Sequence, residues 1–188
     1  MKKLSKTFIA VMMIMCMTIA TALTASATTG QTYDRVLVTG TVSKPQTVET
    51  FNGVPAKYVK TTSNTGTYCC AQLVKNYYKE LYGVSVSNLT SGKTPIVKKG
   101  TTTYTCKTGS APKVGDIYYQ TGHWAIVRTV KKNSNGSYTV RIFEQNWKWS
   151  SNGNVYCAKA RTINTSTYGK SHGVKFFRVY DKKGNPLN

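Results

Sequence analysis

The stretch TYCCAQLVKNYYKELY, residues 67–82, decides the fold of this chain, because its pattern indicates one amphipathic helix beginning at a pair of cysteines. Apolar side chains recur in it at spacings of three and four residues, as on one face of a helix. Gly83 follows, and glycine readily takes the left-handed conformation that ends helices. We predict a helix from about Tyr68 to Tyr82. It should pack through the stripe formed by Cys70, Leu73, Val74, Tyr77, Tyr78 and Leu81.

Cys70 heads this stripe, in the first turn of the predicted helix. Unpaired backbone N–H groups and the positive end of the helix dipole favour negative charge at that point. Both effects lower the pKa of a thiol and raise its fraction of nucleophilic thiolate. Cys69 lies about 100° around the helix axis from Cys70, so its side chain should point elsewhere. Cys70 is therefore the candidate nucleophile.

The second half of the chain is predicted to form strands. Segments 114–119, 123–130, 138–144 and 174–180 are rich in Val, Ile, Tyr and Phe. Asn135-Gly136, between the second and third of them, is a strong hairpin signal. These features predict an α+β fold, with the cysteine-bearing helix packed on an antiparallel sheet.

Two polar stretches carry weaker signals. Residues 88–111 are dominated by Thr, Ser, Gly and Lys, which predicts a long surface loop with room for a second short helix. Residues 28–65 show only short strand-like segments and are expected to form an extension packed on the domain. The predicted catalytic domain then spans residues 66–188.

A base for Cys70 can come from only two histidines. His123 opens a strand in GHWAIV, where it shares a face with Ala125 and Val127. We expect that apolar face to contact the helix and to present His123 to its N-terminus. His172 lies in the polar turn KSHGV and is expected to be exposed. Each histidine taken alone also fits an ordinary surface position.

Glu144 and Asn146 end the strand VRIFEQN on the same parity as its apolar residues. Folding the hairpin places Asn146 or Lys148 opposite His123, depending on register. In the first register Glu144 lies diagonally across from His123, and in the second Asn146 takes that place. Either group can accept the N–H of an imidazole and fix its tautomer. Asp116 is expected to close a turn before its strand. The candidate set is Cys70, His123 and either Glu144 or Asn146.

The N-terminus has the pattern of a secretory signal: Lys2, Lys3 and Lys6, an apolar stretch, and the small residues Ala25-Ser26-Ala27. The apolar stretch is short for an uncleaved membrane anchor. Cleavage after Ala27 would leave 161 residues with a net charge of +17. This charge favours an anionic cell-wall or surface polymer as partner, unless it serves solubility alone. Export argues against nucleic acid, and contact with the membrane is expected only during export.

Four cysteines remain after cleavage. If Cys70 stays free, Cys106–Cys157 is the expected disulfide, because both residues lie in polar, loop-like sequence. Sequence alone does not fix the connectivity, and pairing of all four, Cys69 included, is the alternative. The two histidines lack the spacing of a zinc site, and no cofactor is predicted.

Three segments resemble the CHAP family of cysteine, histidine-dependent amidohydrolases/peptidases, whose fold is papain-like. They are TYCCAQLVKNYY around the cysteine, PKVGDIYYQTGHWAIV around the histidine, and FEQNW. The resemblance covers about residues 66–147 and a final strand near Phe176. It implies Cys70 as nucleophile, His123 as general base, and Glu144 with Asn146 as orienting residues. Cys69 departs from the family, which often has a polar residue there. The related NlpC/P60 group has a similar helix cysteine and strand histidine but usually a further polar residue on the next strand, so the E-x-N segment favours CHAP.

The resemblance implies an enzyme that cleaves amide bonds in bacterial peptidoglycan, as an amidase or an endopeptidase. With the signal pattern, we expect it to be secreted or cell-wall associated, and we expect a monomer. One alternative is a non-enzymatic module that binds anionic wall polymer through its basic surface. The other is a papain-like thiol protease that acts on proteins.

Overall fold

A computed structural model describes residues 30–61 and 66–188 of the chain. The predicted signal peptide, residues 1–27, lies outside these residues. The fold is α+β, with a mostly antiparallel sheet and few helices. No helix within the described ranges has the length and apolar character needed to cross a membrane.

Over residues 30–61 and 66–188 the elements are strands, a short 3-10 helix at Gly66–Tyr68 and two α-helices. The strands and α-helices are β1 (Gln31–Leu37), β2 (Gln46–Phe51), β3 (Val54–Tyr58), α1 (Cys70–Tyr82), β4 (Ser85–Ser87), β5 (Ile96–Lys99), β6 (Thr102–Gly109), β7 (Ile117–Gln120), β8 (His123–Lys132), β9 (Tyr138–Phe143), β10 (Lys148–Ser151), β11 (Asn154–Asn164), α2 (Tyr168–Ser171) and β12 (Lys175–Tyr180). Within the described residues the main sheet has the order β1-β11-β9-β8-β7-β12-β6-β5-β4, with β10 beside β11. Strands β2 and β3 form a separate hairpin.

Helix α1 buries one face and ends at a glycine. Its buried side chains are Leu73, Val74, Tyr77 and Tyr78, which are members of the apolar stripe. Gly83 takes a left-handed conformation with φ of 63°, and its N–H group bonds to backbone carbonyls of the last turn. Three strands precede α1, so it is not the first element of the described chain.

The sheet is covered on both faces, and α1 lies on one of them. Trp124 and Ile126 of β8 pack in the core cluster that contains α1. Ala125 and Val127 belong to a second cluster, together with Val140. The expectation that Ala125 and Val127 face the helix is therefore wrong. The first five residues of β8 are all buried, so alternation in the sequence could not show which face meets α1.

A β-bulge in β8 sets the register of the β8–β9 hairpin. Ile126 pairs with Phe143, whereas beyond the bulge Thr129 pairs with Arg141, so Arg128 is the extra residue. Counting on from the pair of Ile126 and Phe143 places His123 across from Asn146. The structure thus has the first of the two registers that the sequence left open.

The predicted loop at residues 88–111 is wrong, because β5 and β6 lie within it. Strand β6 pairs with both β5 and β12. Tyr104 and Cys106 turn toward the core, while Thr103 and Thr105 are exposed. Threonine favours strands, so this is a half-buried strand whose outer face has the composition of a loop.

The expected Cys106–Cys157 disulfide is also wrong. All four cysteines in the described residues are free thiols. Cys106 lies in β6 and Cys157 in β11, and four strands separate these two in the sheet order. The polar sequence around both cysteines belongs to strands rather than to neighbouring loops.

The chain before α1 is joined to the sheet at two places. Strand β1 pairs with β11 at the edge of the main sheet. In the β2–β3 hairpin, Glu49 accepts hydrogen bonds from Arg128 and from Arg141, the latter at 2.8 Å. Burial raises the pKa of Glu49, although both arginines oppose this shift.

Candidate active site

The Cys70 thiol lies beside the first residues of β8. It is hydrogen-bonded to the His123 side chain and to the backbone of Trp124 and Ala71. Burial alone would raise the pKa of Cys70, but these hydrogen bonds and the charge of His123 outweigh it, so the pKa is lowered. The arrangement favours a thiolate.

His123 connects Cys70 to a carboxylate. Its Nε2 atom lies 2.9 Å from Oε2 of Glu144, which leaves Nδ1 to face the thiol. Only 4% of the His123 surface is exposed. Burial lowers the pKa of the imidazole, but the hydrogen bonds to Cys70 and Glu144 outweigh burial and raise it. Together with the lowered pKa of Cys70, this favours a thiolate–imidazolium pair.

His123 reaches Cys70 although the neighbouring residues of its parity face away from α1. The Cys70 sulfur contacts the backbone of Trp124, which places it at the beginning of β8 rather than above the middle of one face. His123 is the first residue of that strand and follows Gly122, which has φ of 79°. A side chain at the very end of the strand can therefore meet a thiol that its inner neighbours cannot.

Glu144 is held by a buried arginine as well as by His123. Arg161 Nε lies 2.9 Å from Oε1 of Glu144, and Arg161 Nη2 lies 2.9 Å from Oε2. Burial would raise the pKa of Glu144, but the Arg161 charge and the His123 contacts lower it. Glu144 is therefore an ionised carboxylate in a bidentate ion pair with Arg161.

Arg161 itself is fixed on every side. Its guanidinium donates to Gln120, to Gln31 and to the hydroxyl of Tyr168 at 2.7–3.0 Å. The guanidinium carbon lies 4.0 Å from the centre of the Trp147 ring. These contacts hold Glu144, and through it the His123 ring, in one orientation.

The sequence analysis did not find Arg161, although a signal exists. The chain has only five arginines among its 26 basic residues. Arginine suits buried ion pairs better than lysine does. In the structure, buried Glu144 and Asp116 pair with Arg161 and Arg178 respectively. This scarcity makes each arginine a candidate partner for a buried acid, but it does not show which arginine meets Glu144.

The sequence analysis also missed Gln145, which holds the turn before Cys70. Its Nε2 group donates to the carbonyls of Cys69 at 3.1 Å and Thr67 at 3.2 Å. Its Oε1 accepts the backbone N–H of Lys57 at 2.8 Å. Glu144 and Gln145 are neighbours in one short segment. Glu144 positions His123, and Gln145 holds the turn that leads to Cys70.

A cleft opens beside the thiol, with a volume of about 410 Å³. Asn146 lies in its wall with φ of 69°, a left-handed conformation that asparagine tolerates. Glu144, rather than Asn146, is the residue that meets His123 Nε2. The lining residues are Cys69, Cys70, Gly122, His123, Asn146, Trp147 and Lys148.

The remaining polar candidates lie elsewhere. His172 is half-buried and stacks on Tyr168 at 3.8 Å, so the expectation that it is exposed is wrong. Asp116 closes its turn as predicted, because it accepts the Lys113 N–H at 2.8 Å. Within residues 30–61 and 66–188, no group of three His, Cys, Asp or Glu side chains could hold a metal ion.

Comparison of the chain with protein-family models, with curated proteins and with solved structures finds no match. The interpretation of the site therefore depends on its own geometry.

The lowered pKa of Cys70 predicts alkylation by iodoacetamide at a pH below the usual range of thiol ionisation. In a Cys69→Ser background, mass spectrometry of the Cys70 peptide across pH measures this. Burial raises the pKa of Cys106 and of Cys157 to about 12, so neither competes. Replacing His123 by alanine should move the profile to higher pH. An unchanged profile in that variant would show that the two side chains do not interact.

Proposed function

We propose that this chain is a cysteine amidohydrolase or endopeptidase that cleaves amide bonds in bacterial peptidoglycan. The observation that carries the proposal is the hydrogen-bonded series of Cys70, His123 and Glu144 beside an open cleft. Nucleophile, base and orienting carboxylate then act as a unit. After signal cleavage near Ala27 the enzyme would act outside the cell.

The fold class we propose is papain-like, of the CHAP type. A thiol at the beginning of a helix, a histidine at the beginning of an antiparallel strand and an E-x-N segment after the next strand support it. Cys69 remains the departure from the family pattern, and its carbonyl serves as an acceptor for Gln145.

In the first half of the reaction, the Cys70 thiolate attacks the carbonyl carbon of the scissile amide. The oxyanion is stabilised by the backbone N–H of Cys70 at the helix N-terminus, where N–H groups lack intrahelical acceptors. The His123 imidazolium gives its proton to the departing amine nitrogen as the C–N bond breaks. A thioester with Cys70 and a free amine result.

In the second half, water attacks the thioester and His123 accepts its proton. The C–S bond breaks, a carboxylic acid leaves and the thiolate–imidazolium pair is restored. Glu144 accepts the Nε2–H of His123 throughout and stabilises the imidazolium. Arg161 keeps Glu144 ionised, so the carboxylate does not take this proton itself.

Purified bacterial cell walls provide the test of substrate class. We expect wild type to release fragments in which mass spectrometry shows either a freed lactyl group or a new N-terminus in the peptide. The first product defines an amidase and the second an endopeptidase. Casein serves as the matched protein substrate. Hydrolysis of casein with walls left intact would make the chain a peptidase of proteins, and absence of both activities would contradict the hydrolase proposal.

A further inference from the structure

A groove on the far part of α1 collects lysines from two elements. It lies between α1 and the β4–β5 hairpin and has a volume of about 370 Å³. Lys75 and Lys79 enter its wall from α1, and Lys98 enters from β5. Lys99 also lies nearby: its Nζ is 3.8 Å from the position that a Cβ atom would take on Gly83, which is in the wall. Three lysines therefore line one concave surface, with the Lys99 ammonium near its Gly83 edge, and we call this surface the lysine groove.

None of the described residues that line the lysine groove is acidic. Glu80, next to Lys79 in sequence, lines a different cavity together with Asn52. Among the described residues, every salt bridge to a carboxylate uses an arginine or His123. Lys75 and Lys79 are four residues apart on the helix, where like charges repel. The positive charge of the groove is thus left for an external anion to neutralise.

The rest of the groove wall favours a phosphate-bearing chain without aromatic bases. Gln72 and Asn76 add amide groups, and the other lining residues are Gly83, Val84, Ser85, Val86 and Gly100. Proteins that hold single-stranded nucleic acid stack its bases on aromatic rings, and this wall contains none. None of its residues belongs to the catalytic cleft.

We propose that the lysine groove is a binding site for a flexible polymer of phosphodiester-linked polyols, held through its phosphates. Lysine ammonium groups recognise phosphate as point charges and need no fixed orientation, which suits a mobile polymer. Since α1 carries Cys70 at its N-terminus, bound polymer would hold the catalytic cleft close to the surface that displays the polymer. Binding itself requires no catalysis.

The test uses full-length Cys70→Ser protein and synthetic poly(glycerol phosphate), which contains no amide bond. The groove variant is Lys75→Gln, Lys79→Gln and Lys98→Gln together. Its matched control carries Lys131→Gln, Lys132→Gln and Lys170→Gln, which remove the same charge from exposed positions of β8 and α2. Titration calorimetry at several salt concentrations gives the affinity and its salt dependence.

We expect the groove variant to bind about tenfold more weakly or worse, and its salt slope to fall by roughly two to three. The control should change affinity by less than about twofold, because its lysines lie outside the groove and would not contact the bound phosphates. Equal losses in both variants would show that net charge alone binds the polymer and would overturn the proposal. Tighter binding of single-stranded DNA of equal charge would overturn the ligand class. If the triple variant is misfolded by circular dichroism, Lys98→Gln alone against Lys132→Gln decides.

Discussion

Serine in place of Cys70 is expected to abolish hydrolysis of cell walls, with a loss of rate on the order of a thousandfold or more. A serine hydroxyl has a far higher pKa than a thiol, so the His123 imidazole cannot hold it ionised. The lowered pKa of Cys70 and the raised pKa of His123 both indicate that the native pair favours charge separation. Loss of turbidity of a wall suspension measures the effect directly.

Cys69→Ser is the matched control, because it makes the same chemical change one residue earlier. Cys69 borders the same cleft, and its backbone carbonyl accepts a hydrogen bond from Gln145. This carbonyl is kept in the serine variant, and the side chain changes only from sulfur to oxygen, so we expect activity within about threefold of wild type. The reverse result, with Cys69→Ser inactive and Cys70→Ser active, would transfer the role of nucleophile to Cys69.

Arg161→Met is expected to destabilise the fold by about 3–5 kcal/mol, the usual effect of removing one partner of a buried ion pair. Glu144 would be left buried without its cation, and Gln120, Gln31 and Tyr168 would lose a shared donor. Urea unfolding at neutral pH measures the change. Arg161→Lys keeps the charge but not the two-point geometry, so it should fall between wild type and Arg161→Met.

Measurements across pH distinguish two roles of Arg161: positioning of Glu144 and His123, and stabilisation of the fold. The pKa of Glu144 is lowered in the folded chain, so its stabilising contribution is complete above the ordinary glutamate pKa and is lost as acid protonates it. Without Arg161, the charge that most lowers the pKa of Glu144 is gone, so this pKa rises and less stability is lost in acid. The difference in stability between wild type and Arg161→Met should therefore narrow as the pH falls. As Glu144 loses its charge, it stabilises the His123 imidazolium less. The pKa of Cys70 then rises, and alkylation of Cys70 should need a higher pH. An Arg161→Met protein that is destabilised but has an unchanged Cys70 profile would give Arg161 a structural role only.

Short-range pattern was sufficient for the part of the site that lies near its own sequence signals. The stripe on α1 predicted which side chains are buried there, and the end of β9 predicted a buried Glu144. The sequence analysis nominated Cys70, His123 and Glu144, and these three lie in contact in the structure. Helix period and strand parity act over a few residues, which is why they can be counted in a single sequence.

The rest depended on contacts between distant parts of the chain. Arg161 lies on β11 and supports Glu144 only because β11 comes to lie beside β9. The face that β8 turns to α1 could not be inferred, since both of its faces are apolar and buried. Strands β5 and β6 were not predicted, because the threonine and lysine residues on an exposed strand face have the composition of a loop.

The register of β8 and the attachment of the β2–β3 hairpin depend on the same side chain. Arg128 is the residue that the bulge expels from the ladder, and it bonds to Glu49 of that hairpin. The hairpin also makes two hydrogen bonds to the segment after β9. The Tyr58 hydroxyl donates to the backbone carbonyl of Glu144 at 2.8 Å, and the Lys57 backbone N–H donates to Gln145. The strands before α1 thus support the residues of the proposed active site. We expect a chain that begins at residue 66 to lose the Arg128–Glu49 bond and both of these supports.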